Sequence, residues 1–407
     1  MSDTTACPIC GSNTTREFLN RAGVPVHQNL VMRDAQSARS IARGTLAMRV
    51  CQECGFVFNA AFDPTLLAYG EHYDNTQTCS PAFQEYVDSL VRHLIDERNV
   101  RGKRIVEVGC GKGAFLRQLV DDPSAMNEGW GFDPTYVGPN VVLQGRLQFQ
   151  RSFFDASCTN VPADTVVCRH VIEHVPDPCS LLNTVRAAFE ANDATTASVF
   201  FETPCVDWIF RNGVLWDLFY EHCSLFTSAS LADAFVQTGF TVTEARHVFG
   251  GQYLWLEATL ATTKSPRFST TSATTALATN AIAYGEQERQ LTHDWRMEVQ
   301  RWSNHGGVCL WGAGAKGVTF ANLVDPNAEI IDCIVDVNPA KQGGFLPGTG
   351  HEIIAPEALG DRQLSAALVL NPNYSQEIQS LLDCIAPHVA LIDLSANQLS
   401  HRSAHIA

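Results

Sequence analysis

Apolar residues recur at helical spacing over Phe83, Tyr86, Val87, Leu90 and Leu94, which predicts an amphipathic helix within residues 83–100. A strand-like run follows at Arg104–Val108, then a glycine-rich turn, then a helix-like stretch over Ala114–Val120. Strands are also predicted at Gly129–Phe132, Thr165–Cys168 and Ser198–Phe201, and helical segments at Cys179–Glu190 and Ser230–Thr238. Strands alternating with helices predict a parallel α/β sheet. The alternation restarts after a helical stretch at Ala281–Trp302. It runs through strand Val308–Trp311, a glycine turn, helix Val318–Val324 and strand Ile330–Val335. Strand Ala367–Leu370, helix Ser375–Ile385 and strand Val389–Asp393 complete it, so the two halves read as two copies of one architecture. Residues 261–280 are rich in Thr, Ser and Ala and poor in large apolar groups, which predicts a linker. The expected division is 1–70, 71–260 and 281–407.

Composition narrows the class. The chain has 407 residues, enough for two or three domains at roughly 100–200 residues each. It is 45% hydrophobic and 17% charged, which is globular. No apolar run is long enough for a membrane-spanning helix. The first 25 residues lack a basic-then-apolar signal, so a cytoplasmic protein with no membrane partner is expected. The net charge of −15, with no Lys/Arg run, disfavours nucleic acid as a partner.

Of 14 cysteines, four form two C-x-x-C pairs, Cys7/Cys10 and Cys51/Cys54. Two such knuckles can complete a thiolate tetrahedron, and Gly11 and Gly55 let the backbone turn behind each pair. Four cysteines leave no open position for water, so the expected ion is structural zinc in place of a core this short segment cannot build. Chance pairs or redox disulfides are the alternative. The remaining ten are expected mostly as small buried hydrophobes in a reducing compartment.

The first glycine turn reads Glu107-Val-Gly109-Cys110-Gly111-Lys-Gly113, between a strand and a helix. Asp133 follows the next strand and suits a ribose diol. Asp155 suits an adenine amino group, or else is a helix N-cap or loop acid. Arg169 and His170 follow the fourth strand, where His170 is expected beside a cofactor. An acid at the strand end with G-x-G-x-G spacing is similar to the Rossmann-like S-adenosylmethionine-dependent methyltransferases, which implies that cofactor. The second turn, Gly312-Ala-Gly314-Ala-Lys316-Gly317, fits G-x-G-x-x-G, with Asp336 after the next strand. Alone it suggests a nicotinamide cofactor, a phosphate facing Lys316, or a Rossmann-type domain that binds nothing. No Ser/Tyr/Lys set supports a separate dehydrogenase.

The whole order of motifs resembles one family. A four-cysteine module, VEVGCGKGAFL, YEHCSLF and WGAGAKG follow one another as in bacterial C-methyltransferases of nucleotide-linked keto-deoxysugars. The resemblance implies an α/β fold with a class I methyltransferase domain, a second Rossmann-like domain and a small zinc module. It implies S-adenosylmethionine as methyl donor and a nucleotide-linked sugar held in part by Gly312, Gly314 and Lys316. The family's Tyr-x-Glu-His element reads Phe219-Tyr220-Glu221-His222 here. A hydroxyl role at the first position is therefore lost or moves to Tyr220.

A carbon beside a ketone becomes nucleophilic only when a base removes its proton and a donor meets the oxyanion. Histidine titrates near neutrality, so His222 is the expected base. Glu221 is expected either on a substrate hydroxyl or fixing a neighbouring charged group, and His174 is a second base candidate. Tyr73 and Tyr69 are hydroxyl donors or lid aromatics, and Trp216, Phe219 and Phe226 are expected to pack round the pocket. An O- or N-methyltransferase of a small molecule, or a non-catalytic cofactor-binding scaffold, are the competing readings.

Overall fold

The computed structural model describes residues 5–67, 73–74, 76, 79–192, 197–261 and 272–395. Three sheets organise them, and the fold is α/β.

The N-terminal sheet is antiparallel, in the order Thr15–Pro25, Arg43–Cys51, Val57–Asn59, Ser224–Leu225. Its last strand comes from far along the chain, two residues beyond His222. The N-terminal segment therefore does not complete its own sheet.

The middle sheet has eight strands. Ser198–Pro204, Thr165–Arg169, Arg104–Val108, Glu128–Phe132 and Leu147–Gln150 run parallel and adjacent in that order. Val106, Val108, Val166, Val199 and Phe201 bury on one face. Ile105, Val167 and Phe200 bury on the other. Burial on both faces explains the near-continuous apolar runs. The sheet is mixed rather than purely parallel: Tyr253–Leu260 and Phe240–Val248 add antiparallel at one edge and Val141–Val142 at the other. The long hairpin escapes a helix–strand reading because a turn at Phe249–Gly251, not a helix, joins its strands.

The C-terminal sheet is wholly parallel: Ile353–Ile354, Cys333–Val335, Val308–Trp311, Ala366–Val369, Ala390–Asp393. The two α/β halves thus share an architecture but not a topology.

One helix, Ser272–Ser303, joins the parts. Residues 272–280, expected as linker, belong to it, while 262–271 lie outside the described residues. Leu277, Ala278, Ala281, Tyr284 and Trp295 pack in one core with Leu46 and Val50 of the N-terminal sheet and Val308 and Leu310 of the C-terminal sheet. Thr274, Leu277 and Ala278 are buried, while Thr275, Ala276 and Thr279 are exposed. A Cβ on Gly285 would fall 1.6 Å from the Phe18 carbonyl oxygen. Gly285→Ala is therefore expected to lower the thermal midpoint, by the equivalent of at least about 1–3 kcal/mol.

Of the ten single cysteines, seven are buried, Cys179 is half-buried, and Cys79 and Cys384 are exposed. No helix among the described residues is long and apolar enough to cross a membrane.

Candidate active site

The carboxyl ends of strands Thr165–Arg169 and Ser198–Pro204 border a cavity of about 270 Å³. Asn29 and Tyr73 line it from the N-terminal side. His170, Glu173, His174, Phe219, Glu221 and His222 line it from the middle, and Gly312, Gly314, Lys316 and Lys341 from the C-terminal side.

The turn after Arg104–Val108 is built from left-handed glycines: Gly109, Gly111 and Gly113 have φ of 70°, 53° and 77°. A Cβ on Gly109 would sit 2.1 Å from Val171, and one on Gly113 would sit 2.4 Å from the Phe149 ring. Around Gly111 there is open space, so a ligand can approach the backbone closely. Asp133, at the end of the next strand, accepts from the Gly111 amide at 2.9 Å and the Thr135 amide at 2.7 Å. The Thr135 hydroxyl donates to the same oxygen as the Thr135 amide, at 2.6 Å, so the oxygen facing Gly111 is the one that keeps a second lone pair for a ribose hydroxyl. This cradle fits a nucleoside-bearing cofactor.

Glu107 is buried and accepts from the Leu116 amide at 3.2 Å, tying the strand end to helix Ala114–Asp121. Cys110 packs beneath the turn. Burial pushes the Glu107 carboxyl from an ordinary 4.5 up to about 7. The folded state therefore holds this proton more tightly than the unfolded chain does. Its stabilising contribution is present below pH 4.5 and is lost as pH rises through about 7. Relative to Glu107→Gln, the wild type is expected to lose about 3 kcal/mol across that window, read from denaturation midpoints at several pH values.

Arg169 is buried with Nε 2.7 Å from Glu202, and its guanidinium lies 4.5 Å over the Phe115 ring. His170 takes a left-handed φ of 54°, a strained backbone at the meeting of the glycine turn and the cavity. Asp155 lies elsewhere. It is exposed and N-caps a short helical turn, accepting from the Ser157 amide at 2.8 Å. Of its two expected roles, the structure displays the cap.

The Glu221–His222 loop is held from two sides. Cys223 accepts from the Asn59 amide at 2.9 Å, and the Ser224 hydroxyl donates to the Val175 carbonyl at 2.7 Å. Glu221 is fully buried. One carboxylate oxygen accepts from the Gln28 amide at 2.9 Å; the other lies 3.6 Å from His27 Nδ1. Although adjacent in sequence, Glu221 and His222 both reach the cavity. The His222 ring packs 4.0 Å from Phe219 and stands edge-on to His174 at 4.8 Å. Burial, then the positive potential of His174, His170 and Lys316, pushes the His222 imidazolium well below its ordinary range. His222 is therefore neutral and able to accept a proton at neutral pH.

Tyr220 corrects an expectation. Its ring is fully buried and does not line the cavity. Its hydroxyl accepts from the Asp63 amide at 2.8 Å and donates to the Asp63 carbonyl at 3.2 Å. The hydroxyl expected at the first position of the element has not moved to Tyr220; the Phe219 phenyl faces the cavity instead. Tyr73 lines the cavity, with its hydroxyl 3.5 Å from Asn29 Nδ2. Tyr69 lies outside the described residues. Trp216 and Phe226 are core residues rather than pocket walls.

On the C-terminal wall, Asp336 closes the second glycine turn by accepting from the Ala313 amide at 2.7 Å. Lys316 is paired with Asp217 at 2.6 Å, so a carboxylate of the middle segment already balances its charge. Lys341 escaped the sequence reading. It is buried, with Nζ 3.1 Å from the Ala313 carbonyl and 3.4 Å from Asn29 Oδ1, and burial pushes its ammonium down. Neither Asp217 nor Lys341 sits in a local motif, so only tertiary packing reveals them.

Away from the cavity, Cys7, Cys10, Cys51 and Cys54 bring their sulfurs within 4.8 Å of one another. Cys7 and Cys54 are 3.6 Å apart, and Cys10 and Cys51 are 3.5 Å apart. Hydrogen bonding within the cluster pushes the Cys51 thiol down. Hydrogen bonding within the cluster and burial push the Cys7 and Cys54 thiols up. Four clustered sulfurs, three of them on buried cysteines and Cys10 half-buried, are a donor set for a cation.

Comparison with known proteins matches these parts separately. Residues 83–245 match the model of a methyltransferase domain, and residues 273–387 match that of a C-methyltransferase C-terminal domain. A ubiquinone biosynthesis O-methyltransferase of Pseudomonas fluorescens (strain SBW25) is 31% identical over 123 residues, 29% of this chain and 51% of that protein. One from Escherichia coli (strain K12 / DH10B) is 27% identical over 120 residues, 28% of this chain and 46% of that protein. The chain thus spans about half the length of the curated relatives it matches. A structure of magnesium protoporphyrin IX methyltransferase from Synechocystis PCC 6803 aligns with a TM-score of 0.34 at 18% identity, over 44% of this chain and 84% of that one. With the glycine cradle at the strand ends and the parallel sheet beyond the cavity, the chain carries an S-adenosylmethionine-dependent methyltransferase domain joined to a C-methyltransferase C-terminal domain.

Proposed function

We propose that the protein methylates a carbon next to a ketone, in a nucleotide-linked deoxysugar. The observation that carries this reading is convergence. A half-buried neutral histidine, a buried carboxylate and the second glycine turn meet in one cavity at the carboxyl edge of the sheet.

In this reading His222 removes the acidic proton, and its burial keeps it in the accepting form. Glu221, anchored by the Gln28 amide, takes a sugar hydroxyl and orients the ring. Lys341 and Tyr73 stand on the facing walls as donors to the oxyanion that develops on the ketone. When bound, S-adenosylmethionine supplies the electrophilic methyl group. Glu107, Gly109, Cys110, Gly111, Gly113, Asp133, Arg169 and His170 form or border its cradle. Gly312, Gly314 and Lys316 border the region for the nucleotide. The four cysteines hold structural zinc.

The names of the curated relatives favour one second reading, transfer to oxygen in a small molecule. One experiment separates the two. The protein is incubated with labelled S-adenosylmethionine and a panel of nucleotide-linked 4-keto sugars, and the product is analysed by NMR. The expected product carries a new C-methyl. Without methyl donor, solvent deuterium is expected to enter at the acidic carbon. Label on oxygen or nitrogen, or no turnover across the panel, would overturn the carbon reading.

A further inference from the structure

We infer that Glu173, His174 and His222 form a second metal site, one that takes a borderline divalent ion such as zinc and thereby blocks the base. One donor atom from each of the three lies within 4.8 Å of the others. All three residues line the central cavity. Bonds of about 2.0–2.2 Å need donors roughly 3.4 Å apart, which rotations of these side chains can reach.

The donors are also unclaimed. Glu173 is fully buried; one oxygen accepts from Thr203 at 3.0 Å. Its other oxygen has no hydrogen-bond partner, although His170 Nδ1 lies 3.4 Å away. His174 Nδ1 and His222 Nδ1 are buried without a partner as well. Buried polar atoms are rarely left so, and several orphans at one point mark a place where something binds.

Two of the nearby cations are already paired, and Lys341, a third, faces Glu221. Lys316 is balanced by Asp217, and Arg169 by Glu202. Glu173 and Glu221 each keep an oxygen without a hydrogen bond. Two imidazoles and one carboxylate select zinc, cobalt or nickel over magnesium or calcium, and leave coordination positions facing the cavity. An imidazole whose lone pair is on a metal cannot take a proton. Occupancy therefore stops deprotonation. The blockade rests on His222 as base in the function proposed above; the binding does not.

The test titrates Zn²⁺ and Co²⁺ into folded protein that retains its N-terminal metal. Calorimetry and elemental analysis should show one further equivalent per chain. Cobalt in that equivalent should lack the thiolate charge-transfer absorption of cysteine-bound cobalt. Glu173→Gln and, separately, the less buried His174→Gln should lose the further equivalent and keep the first. Turnover of the wild type should fall in parallel with its occupancy and recover with a chelator too weak to strip the cysteines. No further equivalent in folded wild type, or its survival in both variants, would overturn the site. Binding without inhibition would overturn the blockade. Absence of any methyl transfer would overturn the proposed function, while the titration still decides the site.

Discussion

His222→Ala is expected to keep S-adenosylmethionine binding and to lose about 10²–10⁴-fold in turnover, the usual contribution of a positioned general base. The ring is held by Phe219 and His174, and its loop by Asn59, Val175 and Gln28. Removing it should therefore leave the cofactor cradle, whose glycines and Asp133 do not line the cavity, intact. Calorimetry with the cofactor and a thermal melt establish that the variant is folded; single-turnover kinetics with the sugar substrate read the loss. The pH profile adds an independent check. Burial holds the His222 imidazolium well below its ordinary range, so the base stays competent as pH falls through 6.5. An acid limb of kcat/KM near 6.5 in the wild type, or normal turnover in the variant, would assign the proton to another group.

Cys51→Ser is expected to abolish the N-terminal metal and, with it, activity at a site it does not touch. Elemental analysis of the wild type should find close to one zinc per chain in the cysteine cluster, and none in the variant. Structural zinc contributes about 10–16 kcal/mol in small modules, comparable to the about 5–15 kcal/mol that holds a whole domain. Cys51 is fully buried and ends the central strand Arg43–Cys51. Losing the cluster unravels the strand that Val57–Asn59 and Thr15–Pro25 both pair with. The damage then spreads to the cavity, because Ser224–Leu225 pairs only with that sheet and the Gln28 amide orients Glu221. Circular dichroism and turnover should fall together. Folded, active, metal-free protein would sink the structural-zinc reading.

This coupling shows why the site was only partly legible beforehand. The two C-x-x-C pairs, both glycine turns and the Glu221–His222 element are short motifs whose chemistry lies in neighbouring residues, and they could be read directly. Strand Arg104–Val108 and helix Ser375–Ile385 fall where their local patterns put them. The linker reading failed at 272–280 because Thr274, Leu277 and Ala278 there are buried on one helix face, which composition cannot distinguish from a solvated tether. Whether the hydroxyl role is lost or moves to Tyr220 stays open in the sequence because neighbouring side chains on a loop point to different places, and only the contact with Asp63 shows which way Tyr220 turns.

By itself, the sequence determined what local physics encodes: the period of apolar positions, the left-handed glycines, the paired thiols and the residue types able to move a proton. Tertiary structure alone decided which of these meet. Lys341 reaches Asn29 across 312 positions of chain, and Lys316 is neutralised by Asp217 across 99. His174 comes to stand edge-on to His222. Such contacts depend on how three sheets and one long helix pack, and packing is a property of surfaces assembled from distant segments. No window of sequence contains both sides of them.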